Sequence, residues 1–183
     1  MRRLFGNIIS TAYSFVKFLF YKLFYMGSFS CFPIERFSPD VVVRMTRKAK
    51  LRIGKKVRVH SGSKILMSAG GELLLGDNCR INYNCLIACH HSITIENGVE
   101  FGPGVLVYDH DHDFRAEGGL AVRKYKCSPV VIGEGSWIGA NTIILRGTTI
   151  GKNCVIGAGC VVKGNVPDNT ILVQKRENEY ITI

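Results

Sequence analysis

A short segment rich in histidine and aspartate, residues 108–114, carries the side chains best suited to proton transfer. It reads Tyr-Asp-His-Asp-His-Asp-Phe, with the histidines at His110 and His112. In an extended backbone these two imidazoles share one face of the chain and the aspartates share the other. Imidazole titrates near neutral pH, so it can accept a proton there, and a neighbouring carboxylate can fix its tautomer. The segment is a candidate general base, although the same residue types also occur in ordinary solvated loops.

A repeat of six residues follows this segment and must form the scaffold that positions it. Aliphatic side chains occupy every sixth position, and most of them are followed directly by glycine. This period matches neither an α-helix nor a simple alternating strand. It is typical of a parallel β-helix, in which short strands wind into triangular coils and each coil buries its interior by stacking on the next. The repeated residues are Ile132, Ile138, Ile144, Ile150, Ile156 and Val162.

The same spacing appears before the histidine segment, so we predict an all-β protein built around one parallel β-helix. An insertion in such a repeat maps to a loop on one face, and residues 109–129 are the predicted protruding loop. We predict three regions: a helical segment at 1–45, the β-helix at 46–168, and a tail at 169–183 that forms a closing strand or cap. The earlier repeat positions are Ile53, Val59, Ile65, Leu75, Ile81, Ile87, Ile95, Phe101 and Val107.

Positive charge is concentrated at the front of the chain. Residues 1–58 contain 13 Lys and Arg against 2 Asp and Glu, whereas the remaining residues contain 11 against 12. Residues 1–32 are apolar and aromatic, but Lys17 and Lys22 argue against a transmembrane span, and no small-residue cleavage site follows. We predict a helix that lies in the interface of an anionic membrane, or one that packs on the β-helix or on a neighbouring subunit. No nucleic-acid partner is expected.

The seven cysteines fit the repeat better than they fit a disulfide or metal framework. Cys79, Cys85, Cys154 and Cys160 each stand four residues after a repeat aliphatic residue, in the slot for a small buried side chain. A cysteine in such a slot behaves as a small hydrophobic residue. The count is odd and the sequence contains no CxxC pair, so we predict a reduced, cytoplasmic protein with structural thiols.

Taken with the repeat, two motifs give the chain a specific resemblance. They are Gly-Pro-Gly-Val-Leu-Val-Tyr at 102–108, which leads to the histidines, and Ile-Gly-Glu-Gly-Ser-Trp-Ile-Gly at 132–139. Over residues 75–168 the chain resembles the hexapeptide-repeat acyltransferases, in the branch of the maltose, galactoside and polysaccharide O-acetyltransferases. The resemblance implies a left-handed parallel β-helix and a homotrimer with each active site between two subunits. It also implies acetyl-CoA as co-substrate, with no metal.

The resemblance assigns roles to individual residues of the reaction. The base that takes the proton of the acceptor hydroxyl falls on His112 rather than on His110. The backbone N–H of Ala140 falls on the position that stabilises the developing oxyanion, and Trp137 falls beside the active-site groove. This assignment agrees with the chemistry, because a sugar hydroxyl is a weak nucleophile until a base removes its proton.

Further matches concern the acceptor. Asn82 and Asn84 match an Asn-aromatic-Asn motif whose first asparagine helps to hold the acceptor, and His110 is assigned to the same pocket. His90 stands where sugar acetyltransferases of this branch carry an aspartate, so the acceptor is not expected to be held as maltose or galactosides are.

The coenzyme is expected along small residues of the later coils. Ala140 and Ala158 match positions beside coenzyme A, and Lys163 is placed to meet one of its phosphates. In the tail, Lys175 and Arg176 are assigned to replace a basic strand of the relatives.

The predicted function is an acetyl-CoA-dependent O-acetyltransferase that modifies a sugar or a lipid-linked saccharide during capsule, O-antigen or exopolysaccharide assembly. Its predicted location is the cytoplasm, with peripheral attachment to the inner membrane. Three alternatives remain open: an amino-sugar N-acetyltransferase, a trimeric zinc enzyme of the γ-carbonic-anhydrase type, and a non-catalytic scaffold. The zinc enzyme would use His90, His91, His110 and His112, because neutral imidazoles are good zinc ligands.

Overall fold

The computed structural model of the protein describes residues 2–175, 177 and 179–181, with side chains from Gly6 onward. Arg176, one of the two tail residues assigned a basic role, lies outside the described residues. The chain begins with helix α1 (Arg2–Phe24) and then forms short strands throughout, with a 3-10 turn at Gly119–Val122. No helix in the described part is long and apolar enough to cross a membrane.

Each complete coil of the structure contains three short strands. Coil 1 consists of β1 (Phe29–Cys31), β2 (Arg36–Phe37) and β3 (Val42–Met45); coil 2 of β4 (Lys50–Ile53), β5 (Arg58–Val59) and β6 (Lys64–Met67). Coil 3 consists of β7 (Glu72–Leu75), β8 (Arg80–Ile81) and β9 (Leu86–Cys89); coil 4 of β10 (Ser92–Ile95), β11 (Glu100–Phe101) and β12 (Leu106–Tyr108).

A hairpin of β13 (His110–His112) and β14 (Tyr125–Cys127) then interrupts the coils. Coil 5 consists of β15 (Val130–Ile132), β16 (Trp137–Ile138) and β17 (Ile143–Ile144); coil 6 of β18 (Thr149–Ile150), β19 (Val155–Ile156) and β20 (Val161–Val162). Strands β21 (Asn165–Val166) and β22 (Ile171–Leu172) begin a seventh coil. The coil strands therefore extend on both sides of the predicted range 46–168, and the division into regions stays a prediction.

Equivalent strands of successive coils form three parallel sheets. The first strands make sheet A, the second strands sheet B and the third strands sheet C; of the strands in the described residues, the hairpin alone is antiparallel. The architecture fits the left-handed parallel β-helix that the sequence predicts, with an N-terminal helix and a protruding loop. The all-β fold class is confirmed.

The core follows the six-residue period closely. Every repeat aliphatic residue from Ile53 to Val162 is buried, and most of them are fully buried. Each fully buried aliphatic side chain contributes about 1.5–3 kcal/mol relative to an exposed one. Cys79, Cys85, Cys154 and Cys160 are buried free thiols, as their slot in the repeat predicts.

Helix α1 closes the front end of the β-helix, where the edge of coil 1 would otherwise be open. Lys17 Nζ, Tyr21 Oη and Tyr25 Oη donate to the carbonyls of Val41, Val43 and Met45 at 2.7, 2.6 and 3.0 Å. The spacings match, because four helical residues advance about 6 Å and two strand residues about 6.6 Å. The helix therefore satisfies an exposed sheet edge with side chains.

A second feature of this cap is a plug of aromatic rings. Phe18 is 3% exposed and lies 4.9 Å from Phe37 and 5.4 Å from Phe29, ring centroid to ring centroid. Ser14 beside it accepts a hydrogen bond from the Phe37 amide at 2.8 Å. Of the two predicted roles of the N-terminal helix, packing on the β-helix is therefore observed.

The opposite face of α1 is apolar and exposed. It contains the large side chains of Ile8, Ile9, Phe15, Val16, Leu19, Phe20, Leu23 and Phe24, each at least half exposed. The amphipathic helix is thus turned with its more polar stripe towards the protein, which is the reverse of the usual arrangement in a globular domain.

Candidate active site

The histidine segment is anchored by a buried carboxylate, Asp109. Its side chain is 0% exposed and accepts hydrogen bonds from the backbone amides of His90, at 2.9 Å, and His91, at 2.7 Å. The ring Nδ1 of His110 lies 3.0 Å from the same carboxylate. Burial alone would raise the pKa of Asp109, but these hydrogen bonds outweigh it and hold the pKa below its usual range. Asp109 is therefore an ion that ties the loop to coil 3.

His110 and His90 form a stacked pair above this anchor. Their ring centroids are 3.6 Å apart with an angle of 17° between the planes, and the Tyr125 ring packs edge-on against both. Burial, followed by the neighbouring His110, lowers the pKa of His90. The side chain of His110 is only 12% exposed. This pair forms a stacked aromatic wall.

His112 differs from His110 in exposure and in its partners. It lies on the exposed side of the hairpin, where it pairs in register with Tyr125 and packs against that ring at 4.7 Å. No carboxylate pairs with its ring in the part of the chain that the structure describes. Its nitrogens are therefore accessible to a substrate.

An ion pair fixes the hairpin on the following coil. Arg146, which follows β17, donates through Nε to the Asp111 carboxylate at 2.5 Å. Asp109 and Asp111 thus hold the loop to the coils on both sides, so that His112 is presented from a constrained support.

The remaining predicted residues do not all lie on this corner of the triangular coil. Asn82, Ala140 and Ala158 follow strands of sheet B and precede strands of sheet C, whereas the histidines lie between sheets C and A. Lys163 follows β20 and lies on the histidine corner. One chain therefore brings His90, His110 and His112 together but leaves Asn82, Ala140 and Ala158 across sheet C.

Two predicted site residues, Trp137 and Ala140, lie at or next to the corner between sheets B and C. The indole of Trp137 is 54% exposed on the outer face of sheet B. The N–H of Ala140 finds no acceptor within the described ranges, and Gly102 lies directly beside it, since a Cβ there would lie 2.6 Å from the Ala140 nitrogen. An unpaired amide in a glycine-lined corner is a suitable oxyanion donor.

Asn82 and Asn84 each have a structural role in the local turn. Asn82 Oδ1 accepts from the Tyr83 amide at 2.9 Å. Asn84 adopts φ 57°, as do Asn141 and Asn153 to within a few degrees at other corners. Asparagine tolerates this left-handed conformation, so the turn alone accounts for Asn84.

Sequence reasoning missed Asp109 and Tyr125. The segment holds three aspartates, and only the hairpin register reveals which carboxylate is buried. Tyr125 lies thirteen positions after His112, and its contact with all three histidine rings has no signal in the sequence.

No group of three or more His, Cys, Asp or Glu side chains arranged to hold a metal ion is found among the described residues. In particular, His90 and His110 stack face to face, a geometry in which their nitrogens do not converge on one point.

Replacing Asp109 with asparagine is expected to destabilise the protein by about 1–3 kcal/mol at pH 7, because one of the two oxygens that accept from the His90 amide would become an NH2 donor. The folded-state pKa of Asp109 is depressed, so its contribution is complete above pH ~4 and is lost as the pH falls through the folded pKa. Unfolding in urea at neutral pH and near pH 3 should show a difference that shrinks in acid. Asp111→Asn, at an exposed ion pair, is the matched control, and equal losses in both variants would contradict the assignment.

Comparison with known proteins gives this geometry a context. Residues 129–164 match the family described as bacterial transferase hexapeptide (six repeats). The chain is 34% identical over 104 residues, 52% of this chain and 53% of the relative, to a putative lipopolysaccharide biosynthesis O-acetyl transferase of Escherichia coli K12. The chain spans about half the length of the curated relatives it matches.

Solved structures agree with this result. A maltose O-acetyltransferase from Clostridium difficile 630 is 36% identical with a TM-score of 0.57, covering 64% of this chain and 62% of that chain. A hexapeptide-repeat acetyltransferase from Vibrio cholerae, complexed with acetyl coenzyme A, is 30% identical with a TM-score of 0.55, covering 64% and 63%. The predicted resemblance to the hexapeptide-repeat acyltransferases is confirmed.

Proposed function

We propose that this chain, as a relative of the hexapeptide-repeat acyltransferases, transfers the acetyl group of acetyl-CoA to a hydroxyl of a sugar during capsule, O-antigen or exopolysaccharide assembly. The observation that carries the proposal is the pair of half-sites: an accessible His112 on an anchored loop, and an Ala140 amide that has no acceptor among the described residues and follows the strand of Trp137. The names of the relatives, which include lipopolysaccharide, galactoside and maltose O-acetyltransferases, support a saccharide acceptor.

In the proposed reaction, the base lies on the histidine corner and the oxyanion donor lies on the corner between sheets B and C. His112 takes the proton of the acceptor hydroxyl as its oxygen attacks the thioester carbonyl of acetyl-CoA. The Ala140 N–H stabilises the oxyanion of the tetrahedral intermediate. When the C–S bond breaks, the thiolate of coenzyme A leaves and receives the proton from protonated His112. The acetyl ester and free coenzyme A are the products.

The coenzyme and the acceptor occupy different parts of the groove. Acetyl-CoA runs past Ala140 and Ala158 of one subunit, whose small side chains leave room for the pantetheine arm. Lys163, which lies on the histidine corner of the neighbouring subunit, meets a phosphate. Asn82 holds the acceptor with Asn84 beside it, and the His90–His110 pair forms the opposite wall of the pocket.

A homotrimer is part of the proposal, because one chain carries the two half-sites on different corners. The outer face of sheet C lies between these corners, and on coils 3–6 it is apolar: Leu86 pairs with Leu106, which pairs with Ile143, which pairs with Val161. Packing this face against a second copy would cover it and would bring His112 of one subunit to the Ala140 corner of the next. Three such contacts close a ring.

Peripheral attachment to the cytoplasmic face of the inner membrane also belongs to the proposal. The outward face of α1 is apolar, and a groove of about 560 Å³ lies between it and Pro33 and Ile34. The net positive charge of the chain resides in residues 1–58, at the same end of the molecule. An in-plane apolar helix with basic surroundings suits an anionic lipid surface, where lipid-linked saccharides reside.

The test is release of thiol from acetyl-CoA across a panel of acceptors. We expect thiol release with nucleotide-linked or lipid-linked saccharides that carry free hydroxyls, and none without an acceptor. Saccharides that differ only by an amine in place of one hydroxyl distinguish ester from amide formation in the product mass. Transfer only to the amine would overturn O-acetylation, and stoichiometric zinc with no acetyl transfer would overturn the whole proposal.

A further inference from the structure

Three arginines lie one above another on the outer face of sheet B, on the coils nearest to α1. Arg36 on β2 pairs in register with Arg58 on β5, which pairs in register with Arg80 on β8. Neighbouring strands lie about 4.8 Å apart, so the backbone positions of this arginine ladder span about 10 Å. Three like charges at this spacing repel one another unless an anion lies between them.

Among the described residues, one member of the arginine ladder has an acidic partner. Arg80 forms an ion pair with Glu100 at 3.2 Å, whereas Arg36 and Arg58 pair with no carboxylate within the described residues. Burial, followed by the charges of Arg58 and Arg80, lowers the pKa of Arg36. Burial, followed by the charges of all three arginines, lowers the pKa of His60. The ladder therefore carries positive charge that the described part of the protein does not neutralise.

The ladder forms one side of a small groove with further hydrogen-bond donors. The groove has a volume of about 160 Å³ and is lined by the three arginines together with Ser10, Ser38, His60 and Val59. The hydroxyls and the imidazole can each donate to an oxyanion, and guanidinium groups match phosphate oxygens two at a time. The groove thus has the composition of a phosphate site.

Its location connects it to the candidate acceptor residues. Asn82 directly follows the end of β8, two positions after Arg80, and the His60 ring lies 4.9 Å from the Tyr83 ring. In the other direction the groove reaches Ser10 of α1. A ligand in the groove would therefore lie between the acceptor corner and the helix.

We propose that the arginine ladder binds the phosphate or diphosphate that links the acceptor sugar to its carrier. This inference rests on the proposed function for the identity of the ligand. The sugar then extends towards Asn82 and Trp137, since Trp137 stands in the same column above Glu100, and the carrier extends towards α1. The carrier is a nucleotide or a lipid, and both present the same diphosphate chemistry.

The first experiment measures binding of inorganic pyrophosphate to the intact protein by calorimetry at low salt. We expect Arg58→Ala to weaken binding at least tenfold, because a charge-assisted contact is lost. Arg52→Ala, on the same coil but on sheet A, is the matched control and should bind as the unchanged protein does. Arg58→Ala removes a repulsion, so its thermal midpoint should not fall. Equal binding by both variants, or no binding by the unchanged protein, would overturn the proposal.

The second experiment distinguishes phosphate binding by the arginine ladder from the acetyl-transfer reaction. Arg58→Ala should raise the KM for diphosphate-linked acceptors at least tenfold more than the KM for the same sugar without a carrier. Parallel arms with nucleotide-linked and lipid-linked acceptors identify the carrier. If pyrophosphate binding depends on Arg58 but acetyl transfer is absent, the proposed function fails and the ladder stands. If transfer occurs and both KM values change equally, the ladder proposal fails.

Discussion

Replacing His112 with alanine is expected to lower the rate of acetyl transfer by about 10²–10⁴-fold, the usual contribution of a positioned general base. The physical reason is that the acceptor hydroxyl keeps its proton when no base is within reach. The fold should not change, because His112 is exposed and its ring contacts one other ring, that of Tyr125, among the residues that the structure describes. Steady-state thiol release from acetyl-CoA measures the rate, and the binding constant of coenzyme A should stay as it is.

Two other histidines make this experiment decisive. His91→Ala is the matched control: the side chain is exposed on the same corner, and only its backbone amide contacts Asp109. It should retain activity. His110→Ala removes a ring that Asp109 orients and His90 stacks on, so we expect a raised KM for the acceptor together with lower stability. If His110→Ala abolished transfer while His112→Ala kept it, the base would be His110.

Part of this architecture was predictable because it depends on a local period. The last residue of each strand in coil 5 points inward, so Ile132, Ile138 and Ile144 recur at a spacing that packing dictates, and all three are fully buried. The small slot four residues later follows from the same geometry, which explains why Cys154 fits there.

Other features depend on contacts between distant residues and left no local signal. The burial of Asp109, rather than Asp111, is decided by where strand β12 ends against the amides of His90 and His91. Likewise, the motif matches place Asn82 in a pocket with the histidines, but only the order of the sheets reveals that one chain keeps them on separate corners.

The orientation of α1 could not be predicted from its hydrophobic pattern either. Hydrophobicity alone would turn the stripe of Phe15 and Leu19 towards the core. The edge of coil 1 instead presents carbonyls that need donors, and Lys17 and Tyr21 supply them. A carbonyl left buried without a donor would cost about 1–3 kcal/mol, and the face that supplies the donors also buries Phe18. The apolar stripe that includes Phe15 and Leu19 therefore stays exposed and is available to contact another surface.

Substitutions at adjacent residues of α1 should therefore change the stability of the protein by very different amounts. Phe18→Ala is expected to destabilise the protein by about 3–5 kcal/mol, because it empties the aromatic plug against Phe29 and Phe37. Leu19→Lys, at a side chain that is 51% exposed, should change stability by no more than about 0.5 kcal/mol. The midpoint of unfolding in urea measures both effects, at a fixed protein concentration.

For membrane binding we expect the reverse: the substitution at Leu19 has the larger effect, and the substitution at Phe18 has little effect. Leu19→Lys should weaken binding to vesicles of phosphatidylglycerol and phosphatidylcholine about tenfold, since it replaces a lipid-facing apolar group with a charge. Phe18→Ala should bind as the unchanged protein does under conditions where it is folded. Deleting residues 1–32 would be a poor test, because it would also remove the donors to Val41 and Val43 and uncap the coils. Unchanged vesicle binding by Leu19→Lys would mean that the outward face of α1 contacts protein rather than lipid.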